Sequence, residues 1–196
     1  MRRSKVGIRS RAVRLEAMPI SPRMVVAGVT LHAEASESFR FPNTSRLYAY
    51  WNQQRGGRPR PQWGDINLMD VYDVAPYICV RDVIPGSDDL VCRYWGTRLT
   101  ELYGVDCTGK KISETYSAEG ASNTLSIYRR TLASERPLRL VGNLGYVGRS
   151  ERRFFEAIFL RLDGTDQPDR HVIGAFQFDC VLSDADRRKL EGLDAF

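Results

Sequence analysis

Hydrophobic residues recur at helical spacing in the stretch FPNTSRLYAYWNQQRGG, which begins at residue 41. Leu47, Tyr50 and Trp51 stand at positions i, i+3 and i+4, with the polar runs NTSR and NQQR on either side. This spacing places the three side chains on one face of a helix. We therefore predict a short amphipathic helix that ends at the glycine pair Gly56 and Gly57.

The next stretch, GDINLMDVYDVAPY, repeats this scheme over residues 64–77. Leu68, Met69 and Tyr72 are expected on one side of a second short helix, and the proline near its end cannot continue the helical pattern. Together the two stretches form a predicted N-terminal helical segment, residues 41–76.

Beyond residue 76, short runs rich in β-branched and aromatic residues predict strands. The loops between the last three runs are short, which favours antiparallel pairing over parallel crossovers. Between the second and third runs, apolar spacing predicts a short helix over 97–104 and a longer one over 118–135. The five predicted strands cover residues 77–83, 90–96, 138–148, 152–164 and 170–182.

The strand RRFFEAIFL is apolar in both phases of its alternation. A half-exposed antiparallel strand would be polar on one face, so both faces of this strand are expected to be covered. The helix that carries Leu47, Tyr50 and Trp51 is one candidate cover for the second face, and a second subunit is the other. The two predicted faces are Phe155, Ala157, Phe159 and Phe154, Ile158, Leu160.

The positive charge of the chain is concentrated at its start. The sequence pI is about 9.2, but residues 1–23 hold seven basic residues against one acid, whereas the remaining 173 residues carry 22 basic and 23 acidic side chains. We predict that residues 1–40 form a flexible basic extension on a nearly neutral body. No apolar run approaches the length needed to cross a membrane, so we expect a soluble, cytoplasmic protein.

The run RGGRPRP, which follows the first helix, resembles a nucleic-acid-binding box. Such boxes act through repetition in disordered chain, and this sequence has one copy. We interpret the run as a structural joint in which Gly56 or Gly57 adopts a positive φ and Arg55 bonds the last carbonyls of the helix. Nucleic-acid binding through the basic start ranks below the hypotheses given below.

The residues that usually carry catalysis or hold metals are sparse and scattered. His32 lies in the predicted extension and His171 starts a strand, where a hydrogen-bonded or solvated side chain is the expected role. No Cys-x-x-Cys pair and no nucleophile motif is present, so we predict no enzyme activity and no metal site. The four cysteines, which we expect to be reduced and mostly buried, are Cys79, Cys92, Cys107 and Cys180.

The stretch RYWGTRLTELYGVDCTGKKISE, residues 93–114, resembles the signature of PAS domains. In that signature a strand leads into a short helix that ends in Leu-x-Gly, and a Gly-Lys turn follows. The order of two strands, short helices, one longer helix and three strands is also similar to theirs. The matching positions are Thr97, Leu102, Gly104, Gly109 and Lys110.

A narrower resemblance links roughly residues 45–180 to a family of small stand-alone bacterial PAS proteins, common in alphaproteobacteria. Two departures stand out: Trp63 lies where members usually carry a second Arg, and the first 40 residues have no counterpart. The matching positions are Trp51, Gly56, Gly57, Pro61, Asp65, Ile66, Pro76, Arg93, Gly96 and Thr97.

The resemblance implies an α+β fold of the PAS type. Its five-stranded antiparallel sheet is expected to carry short helices on one face and the N-terminal amphipathic helix on or near the other. Residues 77–182 would form the PAS core, and residues 183–196 a C-terminal tail.

The resemblance also implies a sensory or regulatory module in bacterial signalling. Our first hypothesis is a protein that docks on a signalling protein, or on itself as a homodimer, through the outer face of the sheet and the helix over 43–56. The second is a sensor for a small, uncharged, apolar ligand in a pocket lined by Tyr103, Tyr128 and Phe159. The alternative role of these three aromatics is to fill the core.

The resemblance supports no bound cofactor. Haem-binding PAS domains place a histidine on or near the long central helix, and residues 97–135 contain none. Flavin photosensors of the family carry a reactive cysteine on a helix, whereas Cys92 and Arg93 lie in a predicted strand. We therefore predict that neither haem nor flavin is bound.

Overall fold

The computed structural model describes residues 26–146, 152–164 and 170–191. No helix within these ranges is long and apolar enough to cross a membrane. The strands are β1 (Val26–Ala35), β2 (Ile78–Val83), β3 (Leu90–Trp95), β4 (Leu138–Tyr146), β5 (Arg152–Asp163) and β6 (Arg170–Phe178). The α-helices are α1 (Pro42–Arg55), α2 (Thr97–Tyr103), α3 (Ile112–Thr115), α4 (Ala118–Ala133) and α5 (Asp184–Glu191).

The strands form one sheet in the order β1-β4-β5-β6-β2-β3, and every neighbouring pair is antiparallel. Helices α2, α3 and α4 cover the inner face of this sheet, while α1 packs on the outer face. The predicted α+β class and the antiparallel sheet are therefore confirmed. All five predicted strands are present within a few residues of their expected ends.

The sheet has a sixth strand, and its position corrects the sequence-based expectation. Residues 26–35, which were predicted to be flexible, form β1 and pair along β4, with Leu31 opposite Gly142 and Ala33 opposite Leu140. The hydrophobic pattern of this segment is too weak to predict a strand alone, because its main partner is the exposed edge of β4. Residues 1–25 lie outside the described residues. The predictions of a basic extension and of nucleic-acid binding there are therefore not tested.

Strand β5 is covered on both faces, as its sequence predicts. On the inner face, Phe155 and Phe159 belong to the main core; on the outer face, Ile158 and Leu160 pack with α1. The predicted stripe of α1 provides the cover: Leu47, Tyr50 and Trp51 are all buried there. Each such burial stabilises the fold by roughly 1.5–3 kcal/mol.

The second predicted helical stretch is instead a series of 3-10 turns, Trp63–Asp65, Leu68–Val71 and Ala75–Tyr77. A 3-10 helix has three residues per turn, so the buried positions recur every third residue. Val71 and Val74 are buried in this phase, while the expected apolar positions Met69 and Tyr72 are 73% and 72% exposed. The predicted helix is therefore wrong for this stretch, and Met69 and Tyr72 face the solvent.

In the joint after α1, a glycine has the predicted positive φ. The arginine that bonds the end of the helix differs from the predicted one. Gly56 has φ 55° and ψ −125°, a backbone conformation that only glycine adopts readily. Arg58, not Arg55, folds back on the helix end: its Nη2 donates to the Gln54 carbonyl at 2.9 Å and to Asp65 Oδ2 at 2.7 Å. The run thus links the end of α1 to the next turn.

Replacing Gly56 by Ala is expected to cost about 1–3 kcal/mol of the free energy of unfolding, because alanine is strained at this φ and ψ. Gly57→Ala is the matched control, since an added Cβ meets nothing within 4 Å and no positive φ is required. That variant should be neutral or slightly stabilising. Urea denaturation of both variants checks this, and equal stabilities would contradict the joint described above.

The segment expected to be a C-terminal tail contains α5, which is tied to the outer face by a buried ion network. Arg139 on β4 donates from Nε to Glu156 Oε2 at 2.7 Å, and from both terminal nitrogens to Asp186 at 3.0 Å. Glu34 and Lys189 extend the network, with Lys189 Nζ 2.8 Å from Glu34 Oε2. Residues 183–191 are thus an ordered part of the fold.

Candidate ligand cavity

A cavity of about 320 Å³ lies between the inner face of the sheet and the helices α2 and α4. Strands β1, β3, β4, β5 and β6 contribute to its wall. Its volume is at the lower end of the range typical for small-molecule sites. Ser126 and Arg130 on α4 also line it and are exposed, so the cavity reaches the surface beside this helix.

The three residues predicted to line a pocket are brought together in this wall. Tyr103 ends α2, Tyr128 lies in the middle of α4, and Phe159 lies on β5. The rings of Tyr128 and Phe159 meet edge to face with centroids 5.3 Å apart. The ring of Tyr103 packs edge to face on Phe176, with centroids 6.5 Å apart. Their binding of a ligand stays a prediction.

Helix α4 sets the position of Tyr128. Ser117 caps the helix by accepting a hydrogen bond from the Gly120 N–H at 3.3 Å, which fixes where the first turn begins. Leu125 and Leu132, at helical spacing from Tyr128, pack on the same core. Tyr128 is therefore directed toward the sheet, where its hydroxyl lies 3.7 Å from the thiol of Cys79.

The wall combines aromatic rings with polar groups near the opening. Phe155, Phe159 and Phe176 form an apolar surface on the sheet, and Asn123 and Thr124 line the cavity from α4. Trp95 contributes a ring and a buried indole Nε1–H, for which the described part of the chain supplies no hydrogen-bond partner. A pocket of this type suits a largely apolar molecule that carries hydrogen-bond acceptors.

The thiols and phenols around the cavity are neutral at physiological pH. Burial raises the pKa of Cys107 to about 11 and that of Cys92 to about 12. Burial also raises the pKa of Tyr103 and of Tyr128 well above the ordinary value of a phenol. These groups therefore offer weak or neutral hydrogen bonds and no thiolate nucleophile.

Arg81 on β2, which is not among the residues predicted to line a pocket, lies beside this cavity. Its side chain is 0% exposed, and its guanidinium carbon lies 5.6 Å from the ring centroid of Trp95 and 5.8 Å from that of Tyr128. None of its three side-chain nitrogens has a hydrogen-bond partner among the described residues. The alternation in YICVRDV could have shown it, because Arg81 shares a strand face with the buried Cys79.

Each histidine lies beside a carboxylate, and His32 Nε2 is 3.6 Å from Glu34 Oε2. His171 is buried and its Nδ1 lies 2.7 Å from Asp82 Oδ1, while Arg93 Nη2 lies 2.7 Å from the other oxygen of Asp82. The Trp63 ring packs on His171 with centroids 5.7 Å apart. The predicted hydrogen-bonded role of His171 fits these contacts. Within the described ranges, no three His, Cys, Asp or Glu side chains are placed to hold a metal ion.

Comparison with known proteins identifies one family. The family model described as "PAS domain" matches residues 39–177, which include α1, the central helices and all strands but β1. No curated protein and no solved structure matches the chain.

Proposed function

Because the chain belongs to the PAS domain family, we propose that it is a non-catalytic sensory module whose input is a small molecule held in the inner cavity. The observation that carries this proposal is the cavity itself, with its aromatic wall and its opening beside α4. The resemblance to small bacterial members extends the proposal to bacterial signalling. A change in the cavity would reach a partner through the sheet and the helices packed on it.

Our first hypothesis placed a docking partner on the outer face of the sheet and on α1. The arrangement of this face favours the small-molecule input instead. Leu47, Tyr50 and Trp51 are buried against the chain's own sheet, and Trp51 Nε1 donates to the Arg161 carbonyl at 3.0 Å. Those apolar side chains are therefore not free to contact a partner. The inner cavity, by contrast, is open to a molecule of modest size.

Filling the cavity from α4 tests this proposal. Thr124→Trp places an indole in the wall, whereas Ser122→Trp adds the same group at an exposed position of the same helix, outside the cavity. Native mass spectrometry of the purified proteins is expected to show a bound small molecule on the wild type and on Ser122→Trp. The Thr124→Trp variant should carry at least tenfold less of it.

A bare-chain mass for the wild type would count against the small-molecule input. An equal amount of bound molecule on both tryptophan variants would place the ligand elsewhere on the protein. Thermal denaturation of the three proteins shows whether Thr124→Trp is folded.

Protein contact is the second candidate function, and two exposed side chains favour it. Met69 and Tyr72 lie one 3-10 turn apart and are each more than two-thirds exposed. A second copy of the chain is the simplest partner, because a two-fold dimer places the same patch on both subunits. We propose that this patch mediates self-association.

The double variant Met69→Ser, Tyr72→Ser is expected to shift the protein from dimer to monomer in light scattering at about 50 μM, a concentration at which modest interfaces associate. Its melting temperature should stay within about 2 °C of the wild type, since exposed side chains contribute little stability. Val181→Ser, at another exposed apolar position, is the control. A monomeric wild type would contradict self-association.

A further inference from the structure

We propose that the cavity binds a small organic acid, whose carboxylate pairs with Arg81 and whose apolar body lies among the aromatic rings. This inference rests on the proposed function, because it names the class of ligand that the cavity would sense. It also replaces the expectation of an uncharged ligand, because an anion would stabilise the buried cation beside the cavity.

The first support is the state of Arg81 itself. The side chain is completely buried, yet no residue in the described ranges forms a hydrogen bond with Nε or with either terminal nitrogen. The thiol of Cys107 lies close enough to interact with the guanidinium, but a neutral thiol is a weak acceptor and meets no hydrogen-bond geometry here. Burying a charge without hydrogen bonds is strongly unfavourable, so such a group is unusual in a packed core.

The second support is that, among the residues that the structure describes, no acidic side chain pairs with the guanidinium. The side chain is charged, because an arginine is not deprotonated in proteins at physiological pH. The thiols and phenols around it are neutral there, because burial raises the pKa of each of them. The groups that interact most strongly with Arg81 are Tyr128, Tyr116, Cys92 and Cys79. Within the described part of the chain, the site therefore carries a positive charge that no acidic side chain compensates.

The third support is the position of Arg81 relative to the cavity. Trp95 and Tyr128, whose rings contact the guanidinium, both belong to the wall, and so does Tyr116. Arg81 stands directly behind these rings rather than in the wall. In the proposed complex the Tyr128 ring shifts to admit the carboxylate, and the described residues hold the Tyr128 hydroxyl by only one hydrogen bond, the weak 3.7 Å contact with Cys79.

The chemistry of the groups selects a carboxylate with an apolar body. A guanidinium presents a planar fork that matches the two oxygens of a carboxylate. The unpartnered Nε1–H of Trp95 is one more donor on the same side. The remaining wall is formed by rings such as Phe155, Phe159 and Phe176, which exclude a highly charged body such as a nucleotide. An aromatic or short aliphatic monocarboxylate matches both the donors of Arg81 and Trp95 and the apolar wall.

The test compares acids with their neutral amides. Benzoate, trans-cinnamate and octanoate, each paired with the matching amide, are titrated into the wild type by calorimetry and by thermal shift. At least one acid is expected to bind at least tenfold more tightly than its amide. Arg81→Met should remove this preference, and Arg129→Met, at an exposed position of α4 outside the cavity, should keep it.

The melting temperature of Arg81→Met without ligand is a separate test. Arg81→Met replaces an unpaired buried charge with an apolar chain of similar length, so its melting temperature is expected to rise above that of the wild type. A purely structural role of Arg81 would lower it. Arg81→Lys keeps the charge but loses the fork, and its acid preference should be intermediate.

Each outcome is decisive. If acids and amides bind equally well, or if Arg81→Met keeps the preference, the organic-acid inference is overturned while the sensory cavity stands. If no probe binds and the purified wild type has the mass of the bare chain, both the inference and the proposed function fail. The wild-type comparison of acid with amide decides the question even for a variant that does not fold.

Discussion

Replacing Arg139 by Ala is expected to lower the free energy of unfolding by about 3–5 kcal/mol, the cost of removing one partner from a buried ion pair. Glu156 is 0% exposed, and Arg139 is the only cation bonded to it among the described residues. Its other contacts are hydrogen bonds from the Thr44 hydroxyl at 2.5 Å and the Arg40 backbone N–H at 3.1 Å. These neutral donors cannot replace the lost charge.

The control for this variant is Arg136→Ala, just before the same strand. Arg136 pairs with Glu37 at 3.4 Å, but both side chains are more than half exposed. Such a pair contributes roughly 0–1 kcal/mol, so this variant should stay close to the wild type. Urea denaturation measures both values. Similar stabilities for the two variants would show that the buried network contributes little to the fold.

Acid titration gives a second measurement of the same network. The hydrogen bonds of Arg139 lower the pKa of Asp186 to about 2, below its value in the unfolded chain. The stability from this carboxylate is therefore present above about pH 5 and is lost as the pH falls toward 2, by roughly 2 kcal/mol. In Asp186→Asn this part of the pH dependence should disappear, and an unchanged acid profile would contradict the assignment.

Replacing Gly96 by Ala is the second large expected effect. An added Cβ would lie 2.2 Å from the carbonyl oxygen of Pro76 and 2.7 Å from that of Ala75, closer than real Cβ atoms approach backbone. Because both obstacles are backbone, no side chain can move aside, and the chain itself must shift. We expect a loss of at least about 3 kcal/mol, at the upper end of overpacking effects.

The consequence of Gly96→Ala reaches the candidate site. Gly96 donates its N–H to the Ile78 carbonyl at 2.9 Å and precedes the first residue of α2, the helix that ends in Tyr103. Displacing this junction should loosen the wall, so binding of any cavity ligand should weaken along with stability. Thermal denaturation and near-UV circular dichroism measure the change, with Gly57→Ala as the open-space control. A variant as stable as the wild type would mean that the two segments are not packed this closely.

The same junction explains part of the sequence resemblance. Pro76 and Gly96 belong to the matching positions, yet they lie 20 residues apart in the chain. In the fold they touch, because the 3-10 turn over Ala75–Tyr77 leads into β2 beside the end of β3. The sequence shows that both residues are present, and the tertiary structure shows that the glycine leaves room for the turn.

The sequence predicted three residues of the cavity wall but did not indicate the buried arginine beside it. Tyr103, Tyr128 and Phe159 were found because aromatic residues on predicted elements are a strong local signal. Arg81 was missed because an arginine in a strand is usually read as exposed. Only the packing of Tyr128 and Trp95 around it shows that it is buried without a counter-charge.

The sequence alone determined the type and order of α1, α2, α4 and the strands β2 to β6, and the double cover of β5, because hydrophobic periodicity and turn residues act over a few neighbouring positions. The tertiary structure decided what depends on distant partners. Strand β1 forms because β4 offers a free edge, and α5 is held because Arg139 pairs with Asp186 as well as with Glu156. Arg81 acquires its significance because Trp95 of β3 and Tyr128 of α4 enclose it. Such effects arise from burial and electrostatics between residues far apart in the chain, which no local pattern records.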